Sequence, residues 1–446
     1  MPYIGRTPSA VPVTADDIPA NSIDASKIVD GSIELAEIAD NSITDAKLNS
    51  SKLDGIEAGA TNYIHPTTHA TADIADNAIT EAKIADAAVV SLKSGRKNLI
   101  INGGFDVWQR GTSIALTASS FLADRFRHSL AGATTARFTV SKSTDAPTGF
   151  SNSVKWDCTT ALATMDADDA IYDDYKFEGQ DVQHLAYGEA GAKTITLSFW
   201  VKSNKTGTYV VWFYMPDGTR HSAITYTVDT ADTWEKKTGT ITGNTTQLIS
   251  NASTAGLYVR FVYAAGSTYT SGTQVTSWVT NTNADRYAAQ TVNLADSTAN
   301  YINITAVQLE LGSVATDFEH RSYGEELALC QRYYYKAPTN GDDLFIMVGV
   351  SVTVGEIAIF PPVSMRTTPS AILNDASPYW ESHPWNAVGN NAINISSLNV
   401  GHISQDGVGT LGVFFSGTTG AFVTPNLSRG INYGIVTNFV SFDAEL

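Results

Sequence analysis

One short segment near the carboxyl end of the chain collects side chains that suit ligand contact. It runs Ser377-Pro-Tyr-Trp-Glu-Ser-His-Pro-Trp385, and its prolines favour a loop. Aromatic rings beside a carboxylate and an imidazole make good contacts to saccharides or to proteins. The same tryptophans could instead plug a subunit interface or the floor of a domain. The candidate contact residues are Tyr379, Trp380, Glu381, His383 and Trp385.

A second aromatic group lies in the middle of the chain, on predicted strands at 194–201 and 208–214. Trp200, Trp212 and Tyr214 alternate there with Phe199 and Phe213, and alternation along a strand places the two sets on opposite faces. One set must fill the core of the sheet, and the sequence leaves open which one. The other set would offer flat rings on which a sugar can stack beside polar groups.

Two features resemble metal ligands, and we expect neither to hold an ion. His65 and His69 would share one face of a helix, but Pro66 follows His65 directly, and the residue before a proline avoids the helical region. Several chains could still place equivalent histidines around a common axis. The acidic stretch Asp166–Asp174 offers carboxylate oxygens for Ca²⁺ but lacks the spacing and the glycine of an EF-hand. We expect a solvated loop there.

No motif in the sequence predicts catalysis. The pattern Gly407-Val-Gly-Thr-Leu-Gly412 matches a dinucleotide-binding fingerprint, but that fingerprint requires a helix after it. The strand-like run Val413-Phe-Phe-Ser416 follows instead. No phosphate-binding loop, serine-hydrolase elbow or zinc-protease motif occurs, and no nucleophile is placed beside a base. We therefore expect neither enzyme activity nor a cofactor.

The charge balance excludes several classes of partner. The chain carries 45 acidic and 28 basic residues among 446, which gives a net charge of −17. Nucleic acids and anionic lipids both require a basic face, so neither is an expected partner. Cys158 and Cys330 are too few for a disulfide framework or a thiolate metal site. The start of the chain lacks an apolar signal core, and membrane insertion is not expected.

The elements that must position these residues begin with a repeat at the amino-terminal end. An aliphatic residue recurs there at every fifth position, a step that fits neither one helix face nor one strand face. Such short units cannot bury their own apolar residues, and burial of each isoleucine stabilises by about 2 kcal/mol. We predict a thin rod in which several chains share an axial core; an acidic linker without fixed structure is the alternative. The predicted core residues are Ile18, Ile23, Ile28, Ile33, Ile38, Ile43, Leu48, Leu53, Ile74, Ile79 and Ile84.

The middle of the chain carries the pattern of an all-β domain. Short alternating segments, separated by Gly, Ser, Thr and Asn turns, favour a sandwich or jelly roll over residues 96–322. In the segment Leu257–Tyr263, for example, the odd-numbered apolar residues share one face and Arg260 lies on the other.

The last part of the chain is predicted to be a separate β domain that follows a helix. Glu325 and Glu326 favour the start of that helix, which runs into a strand ending near Lys336. The segment Leu344–Val363 alternates and contains a glutamate, so it predicts a hairpin that turns at Gly355-Glu356 and not a membrane span. Strands are predicted at 344–354, 357–363, 392–400, 411–416 and 431–442.

Several stretches resemble known proteins. The Asp-Asn-Ser-Ile-Thr-x-Ala-Lys repeats and the stretch Lys52–His69 resemble the shafts of tail fibres of tailed bacteriophages. Asn98–Thr112 and Val307–Glu319, at the two ends of the middle region, resemble a jelly-roll domain like carbohydrate-binding modules that is widespread in phage tail proteins. Tyr323–Tyr334 and Phe360–Pro369 resemble the carboxyl-terminal parts of tail fibres, which commonly form trimeric receptor-binding heads.

The resemblance implies a mainly β, elongated, homotrimeric fibre. Its parts would be an attachment arm (1–17), a repeat shaft (18–95), a jelly-roll sandwich (96–322) and a C-terminal β receptor-binding head (323–446). The implied partners are phage tail or baseplate proteins at the N-terminus and polysaccharide or lipopolysaccharide on the host cell. The protein would be made in the host cytoplasm and would reside in the virion.

The composition also bears on the kind of glycan. A low charge content and many Ser, Thr and Asn residues suit neutral glycans better than ionic ligands. A tailspike that degrades polysaccharide and a non-adhesive spacer of the virion are the alternatives to an adhesive fibre.

Overall fold

The structure is a computed structural model of the whole chain. It describes residues 14–29 apart from 21, 25 and 27, and residues 96–336 apart from 133–135. Beyond these it describes residues 361–373 and 440–446, together with the backbones of six strands between 344 and 432. The chain divides into two compact units, Met1–Lys83 and Ile84–Leu446.

In the first unit, the described residues include one short 3-10 helix, Ala15–Asp17. The Asp17 carboxylate accepts hydrogen bonds of 2.7 Å from both the backbone N–H and the hydroxyl of Thr14, which fixes this turn. Ile18, Ile23 and Ile28 are 43%, 54% and 44% exposed in the single chain. The shared axial core stays a prediction, and its other members lie outside the described residues: Ile33, Ile38, Ile43, Leu48, Leu53, Ile74, Ile79 and Ile84.

The middle of the second unit is an antiparallel β-sandwich, which confirms the mainly β prediction. Its strands are, in chain order, β1 (Ser113–Ala115), β2 (Ser120–Phe121), β3 (Phe126–Ala131), β4 (Phe138–Ser143), β5 (Ser153–Cys158), β6 (Ala170–Glu178), β7 (Ile195–Ser203), β8 (Gly207–Met215), β9 (Arg220–Val228), β10 (Glu235–Ile241), β11 (Ala255–Ala265), β12 (Val279–Thr280) and β13 (Tyr301–Leu311). One sheet has six strands in the order β1-β4-β5-β13-β7-β10, and the other has seven in the order β12-β9-β8-β11-β6-β3-β2.

Short helical segments lie in the connections between these strands. They are the 3-10 helices Gly179–Leu185, Asp217–Thr219 and Leu294–Asp296, and one α-helical turn, α1 (Ser267–Thr270).

The core of the sandwich lies between the two sheets and is rich in aromatic rings. Phe199 from the six-stranded sheet meets Phe261 from the seven-stranded sheet edge to face, with ring centroids 5.0 Å apart. Leu257, Val259 and Tyr263 are buried on the same face of β11 as Phe261, as their alternation predicted. Burial of these side chains supplies the main driving force that holds the sheets together.

A buried polar network crosses this core. The Asp173 carboxylate, on β6, accepts hydrogen bonds from Trp156 Nε1 at 3.0 Å and from the Tyr263 hydroxyl at 2.6 Å. Its other oxygen lies 2.7 Å from His128 Nδ1. Because Trp156 belongs to the six-stranded sheet and the other residues to the seven-stranded sheet, the network fixes how the sheets align. Each polar group has a partner, which is the condition for burying it without a large penalty.

The two ends of the sandwich meet, and the residues that resemble the jelly-roll family make this junction. The Asn98 side chain donates to the Val307 carbonyl oxygen at 3.1 Å, and its backbone N–H donates to Glu319 Oε2 at 2.8 Å. At Gly103 a β-carbon would lie 2.1 Å from the same Val307 oxygen, so only glycine fits this close approach.

The chain continues through a capped helix, α2 (Tyr323–Gln331), into a three-stranded sheet and a six-stranded barrel. The Ser322 hydroxyl accepts from the Glu325 N–H at 3.3 Å, and the Glu325 carboxylate accepts from the Ser322 N–H at 3.0 Å, which forms a capping box. The strands are β14 (Tyr334–Lys336), β15 (Leu344–Gly349), β16 (Val354–Ile359), β17 (Ser370–Leu373), β18 (Tyr379–Pro384), β19 (Asn391–Ile403), β20 (Leu411–Gly417), β21 (Leu427–Asn432) and β22 (Val440–Asp443). The sheet has the order β14-β22-β17, and the closed barrel has the order β15-β16-β20-β19-β18-β21.

The predicted helix and hairpin are present, and two boundaries are wrong. Strands β15 and β16 pair as an antiparallel hairpin, but Gly355 and Glu356 lie inside β16, paired with Gly349 and Val348. The predicted turn at Gly355-Glu356 is therefore misplaced. The single strand predicted at 431–442 is two strands, one ending at Asn432 in the barrel and the other, β22, in the three-stranded sheet.

Residues 443–446 pack back onto the sandwich. The Glu445 carboxylate forms an ion pair with Arg125, whose side chain is 2% exposed. Arg366 donates to the backbone oxygens of Ala444 at 2.6 Å and of Glu445 at 3.0 Å. The three-stranded sheet is therefore tied to the sandwich by the end of its own central strand.

Candidate functional site

The seven-stranded sheet carries an ordered array of aromatic and basic side chains on the face that points away from the core. Cross-strand pairing places Lys176 (β6), Tyr258 (β11), Tyr214 (β8) and His221 (β9) in one row. Strand alternation explains this placement, because the intervening residues face the core, as Phe213 does. We call this surface the outer face.

Tyr214 and Tyr258 form the most accessible aromatic part of the outer face. Both rings are half-buried, and their centroids lie 5.6 Å apart in an edge-to-face arrangement. Lys176 Nζ lies 5.0 Å from the centroid of the Tyr258 ring. We call these three residues the aromatic shelf. Burial first, and the Asp174 carboxylate second, raise the pKa of Tyr258, so its hydroxyl stays protonated and can donate a hydrogen bond.

The shelf is supported by a rigid ion pair in the neighbouring row. Arg260 donates to both oxygens of Asp174, at 2.6 and 3.0 Å, and to the Tyr287 hydroxyl at 2.6 Å. Its guanidinium group also lies 3.6 Å from the centroid of the Tyr172 ring. Bidentate pairing and stacking leave Arg260 little freedom, and they compensate the charge of Asp174. The outer face is therefore not anionic at this point, although the chain as a whole is.

A chain segment between β11 and β13 covers the rest of the outer face. Trp212 is 3% exposed and Tyr287 1%, and together with Val210, Ala223 and Val262 they form a second, smaller core. The aromatic residues predicted to lie opposite Phe199 and Phe213, namely Trp200, Trp212 and Tyr214, therefore differ in their environments. Trp212 is buried, whereas Tyr214, which stacks on it at 4.9 Å, remains partly accessible. The sequence did not reveal this cover, because it joins the sheet only through tertiary packing.

Trp200, the third member of that aromatic set, belongs to the other sheet. It lies on β7, half-buried, opposite Lys236 and Thr305. It is therefore not part of the aromatic shelf.

His221 is the last residue of the row and lies at its buried end. Its Nδ1 accepts a hydrogen bond of 2.9 Å from Trp212 Nε1, which fixes the proton on Nε2. Burial lowers the pKa of His221 to about 4, with the nearby Asp285 opposing the shift and Arg286 adding to it. The imidazole is neutral at pH 7 and serves as a support for Trp212.

The predicted carboxyl-terminal contact segment is a strand and not a loop. Tyr379, Trp380, Glu381 and His383 lie on β18 of the barrel, between β19 and β21. Trp385 lies outside the described residues. Their role as receptor contacts stays a prediction.

The acidic stretch Asp166–Asp174, predicted to be a solvated loop, is in part a strand, because β6 begins at Ala170. Asp173 and Asp174 lie on β6 with 2% exposure, and their oxygens are engaged by the partners described above. Across the described parts of the chain, no three His, Cys, Asp or Glu side chains come together as a metal site. His65 and His69 lie outside the described residues. Cys158 and Cys330 are free thiols, both buried.

Sequence reasoning missed Tyr258 and Lys176, although a signal for one of them was present. Tyr258 lies two positions before Arg260 in the alternating segment of β11, so the pattern already placed it on the outer face. Lys176 lies two residues after the acidic stretch Asp166–Asp174, and its local sequence carries no sign that its ammonium group meets an aromatic ring. The two tyrosines of the shelf are 44 residues apart and become neighbours only through the pairing of β8 with β11.

Two cavities lie near the junction of the sandwich with helix α2. The larger, about 700 Å³, is bordered by the helix at Ala328 and Leu329 and by Arg332. The smaller, about 280 Å³, lies against β6 and the 3-10 helix Gly179–Leu185. Arg96 borders both cavities. No helix among the described residues has both the length and the apolar character needed to cross a membrane.

Comparison with known proteins gives likenesses among solved structures. No family model and no curated protein matches the chain. One similar structure is the enzymatically active domain of tailspike protein 4 of bacteriophage CBA120, at 15% identity over 48% of this chain and 21% of that one, with a TM-score of 0.27. The present chain thus spans about a fifth of the length of that tailspike domain.

Two further similar structures are covered almost completely. One is a putative sugar binding protein from Bacteroides thetaiotaomicron, at 11% identity over 48% of this chain and 100% of that one, with a TM-score of 0.28. The other is a family 11 carbohydrate-binding module from Clostridium thermocellum in complex with a mixed-linked tetrasaccharide, at 10% identity over 43% and 91%, with a TM-score of 0.23.

Proposed function

We propose that this chain is a homotrimeric tail fibre of a tailed bacteriophage that binds glycans on the surface of the host cell. The observation that carries the proposal is the aromatic shelf on the outer face, where Tyr214 and Tyr258 lie beside Lys176. The sugar would bind the outside of the sandwich, and the amino-terminal repeat would join three chains and attach them to the virion.

The chemistry of the shelf suits a saccharide. The apolar C–H face of a sugar ring packs on an aromatic ring, while its hydroxyl groups need polar partners at the edge. The Tyr258 hydroxyl and the Lys176 ammonium group supply such partners. Because both oxygens of Asp174 are engaged by Arg260, this carboxylate does not compete with the sugar for the Tyr258 hydroxyl or the Lys176 ammonium group.

The trimeric part of the proposal is supported by the exposed isoleucines of the first unit. Ile18, Ile23 and Ile28 keep roughly half of their surface in the single chain. Three chains that cover each other's isoleucines would remove this surface from water, with about 25 cal/mol gained per Å² buried. Three linked copies would also bring three weak sugar sites together, so that avidity replaces high affinity at any one of them.

The carboxyl-terminal segment Tyr379–Trp385 remains the second candidate for contact with the host receptor. It lies on or next to β18 of the barrel, away from the shelf in sequence. A fibre can use both surfaces, one in the sandwich and one in the head. Trp380→Ala and Trp385→Ala distinguish the two surfaces and leave the ion pair of Glu445 with Arg125 of the sandwich in place, because loss of host adsorption in these variants would assign the receptor to the head.

The test of the proposed function is incubation of the purified full-length protein with host lipopolysaccharide, followed by sedimentation and sizing of the glycan. An adhesive fibre retains lipopolysaccharide of unchanged length. A tailspike that degrades polysaccharide would shorten it, and a non-adhesive spacer would neither retain nor shorten it. Either of the last two results would refute the proposal.

A further inference from the structure

The segment that follows β22, residues 444–446, is held on the sandwich mainly by polar contacts. We call these three residues the strap. Glu445 forms the ion pair with Arg125 described above, and the backbone oxygen of Leu446 accepts a hydrogen bond of 2.9 Å from Lys176 Nζ. The strap therefore extends from the three-stranded sheet to a residue of the aromatic shelf.

A cluster of carboxylates and guanidinium groups lies where the strap meets the sandwich. Arg110 Nη1 lies 3.0 Å from Asp124 Oδ1, and Arg110 Nη2 lies 3.3 Å from an oxygen of Asp443 and 3.4 Å from one of Glu445. Together with Arg125, the cluster joins three carboxylates to two guanidinium groups. If all three carboxylates were ionised, one negative charge would lack a counter-charge within the cluster. Such a charge is costly in a site that is largely shielded from water, and one bound proton removes it.

Asp124 is the carboxylate of the cluster that is best placed to bind this proton. Its side chain is 0% exposed, whereas that of Asp443 is 28% exposed, and Glu445 contacts both guanidinium groups. Asp124 has one ion-pair partner, Arg110, and its Oδ2 accepts from the Gln109 N–H at 2.8 Å. Burial raises the pKa of Asp124 to about 7; the Arg110 guanidinium opposes the shift, and the Glu445 carboxylate adds to it.

Three further elements bring titratable or charged groups to the cluster. Helix α2 contributes Cys330 and Glu326, and Glu326 has an ion pair of its own at 3.3 Å. Strand β14 contributes Tyr334. Burial raises the pKa of Cys330 and of Tyr334, so neither supplies a negative charge at neutral pH. Arg366 keeps its charge at all ordinary pH values and faces the backbone oxygens of the strap.

Protonation of Asp124 and closure of the strap favour each other. With the strap on the sandwich, the Glu445 carboxylate shares Arg110 with Asp124 and lies close enough to disfavour a second negative charge. Once the strap has left, Arg110 serves Asp124 without this competitor, and water reaches the cluster. Both changes favour the ionised form of Asp124 in the open state. Because the coupling is reciprocal, loss of the proton must favour opening.

We propose that the strap is a pH-sensitive closure: it lies on the sandwich with one proton bound to Asp124, and it opens more readily when that proton passes to water. Opening increases as the pH rises toward neutrality and levels off once Asp124 is ionised in the closed state. Because the closed strap holds Lys176 through Leu446, opening also frees an amine of the aromatic shelf. The inference does not depend on the proposed function, since it concerns this chain's own contacts and no ligand.

The experiment is hydrogen–deuterium exchange of the full-length protein at pH 5, 6, 7 and 8, read by mass spectrometry in a peptide that contains residues 440–446. The wild-type protein is compared with Asp124→Asn, which keeps the size of the side chain and one acceptor oxygen but binds no proton. The peptide has the same sequence in both proteins, so the intrinsic effect of pH on exchange cancels in the ratio of their rates. We expect the ratio of wild-type to variant rate to rise about tenfold or more between pH 5 and pH 8, mostly below pH 7, because each unit of pKa difference between the closed and open states gives a factor of ten.

Two controls separate proton coupling from a general weakening of the structure. Lys176→Met removes the hydrogen bond to Leu446 but leaves Asp124 in place, so it should speed exchange of the strap by the same factor at every pH. The second control is the segment 267–290, which carries its own backbone hydrogen bonds, such as that from the Tyr287 N–H to the Tyr269 oxygen at 2.9 Å. Its exchange ratio between wild type and Asp124→Asn should not change with pH.

A strap ratio that stays constant from pH 5 to pH 8 would overturn the proposal, and so would an equal rise in the segment 267–290. If circular dichroism shows that Asp124→Asn does not fold, the exchange of the strap is divided by that of segment 267–290 within the wild-type protein, where the intrinsic effect of pH cancels again. This second ratio must also rise about tenfold or more, and a constant value would overturn the proposal equally.

Discussion

The ion pair between Glu445 and Arg125 gives a sharp test of how the end of the chain is held. The two side chains are 3% and 2% exposed, and they join residues that are 320 positions apart in the sequence. Glu445→Gln keeps the shape and one acceptor oxygen but removes the negative charge. Arg125 would then be a buried cation whose charge is compensated by no other carboxylate in direct contact among the described residues.

The magnitude follows from the cost of an uncompensated buried charge. Removal of one partner from a buried pair destabilises a protein by about 3–5 kcal/mol. Arg110, which also contacts Glu445 at 3.4 Å, keeps its contacts to Asp124 at 3.0 Å and Asp443 at 3.3 Å, so it adds little to the loss. We therefore expect Glu445→Gln to lower the free energy of unfolding by about 3 kcal/mol, near the lower end of that range.

The assay is urea unfolding of the full-length protein, followed by circular dichroism at one fixed protein concentration. Glu189→Gln, an exposed glutamate on the sandwich, is the matched control and should change the free energy by less than about 0.5 kcal/mol. The double variant Arg125→Met with Glu445→Leu should recover most of the loss, because replacing both partners by apolar residues removes the buried charge. A loss below about 1 kcal/mol in Glu445→Gln, or no recovery in the double variant, would refute the buried pairing.

Three further predictions address the outer face, the first unit and the helix that follows the sandwich. The pKa of His221 is lowered to about 4, below its ordinary 6.5, so the unfolded chain binds the proton more readily, and the contribution of this residue to stability is constant above pH 6.5 and falls by about 3 kcal/mol between pH 6.5 and pH 4. Because burial raises the pKa of Asp124 to about 7, which acts in the opposite direction in the same range, the prediction is a difference: the wild-type protein should lose about 3 kcal/mol relative to His221→Asn when both are unfolded at pH 6.5 and at pH 4. Replacement of Ile18, Ile23 and Ile28 by Ser should shift the protein from trimer to monomer in multi-angle light scattering without changing the melting of the sandwich; an unchanged mass would contradict a shared axial core. Ser322→Ala, which removes the capping box of α2, should cost about 1 kcal/mol in urea unfolding, whereas Ser271→Ala, at an exposed serine, should be neutral.

The sequence predicted the sandwich because its strands obey a local rule. Alternation in Leu257–Tyr263 identifies the buried face without knowledge of any partner strand, and the structure confirms that face. The same alternation would have placed Tyr258 on the outer face. A strand and its buried face can therefore be predicted from the sequence wherever one face of the strand is buried and the other is exposed.

The predictions that were wrong concern residues whose partners are distant in the sequence. Asp173 and Asp174 look like solvated charges in a local window, but Trp156, Tyr263 and Arg260 come from other strands to satisfy them. A contact such as Arg125 with Glu445 has no local signature at all.

The segment Ser377–Trp385 was predicted to be a loop because of its prolines. Pro384 is the last residue of β18, where a missing N–H costs the ladder little, so the residues between the prolines remain free to pair. The same reasoning about local breakers placed the turn at Gly355-Glu356, where the barrel in fact continues a strand.

The most direct test of glycan recognition by the outer face is affinity electrophoresis of the full-length protein in gels that contain host lipopolysaccharide. We expect lipopolysaccharide to retard the wild-type protein and Tyr323→Ala, which removes an exposed tyrosine outside the shelf, to the same extent. We expect Tyr258→Ala to migrate as it does in a gel without lipopolysaccharide. Equal retardation of Tyr258→Ala and the wild-type protein would contradict the account and would move the receptor contact away from the aromatic shelf.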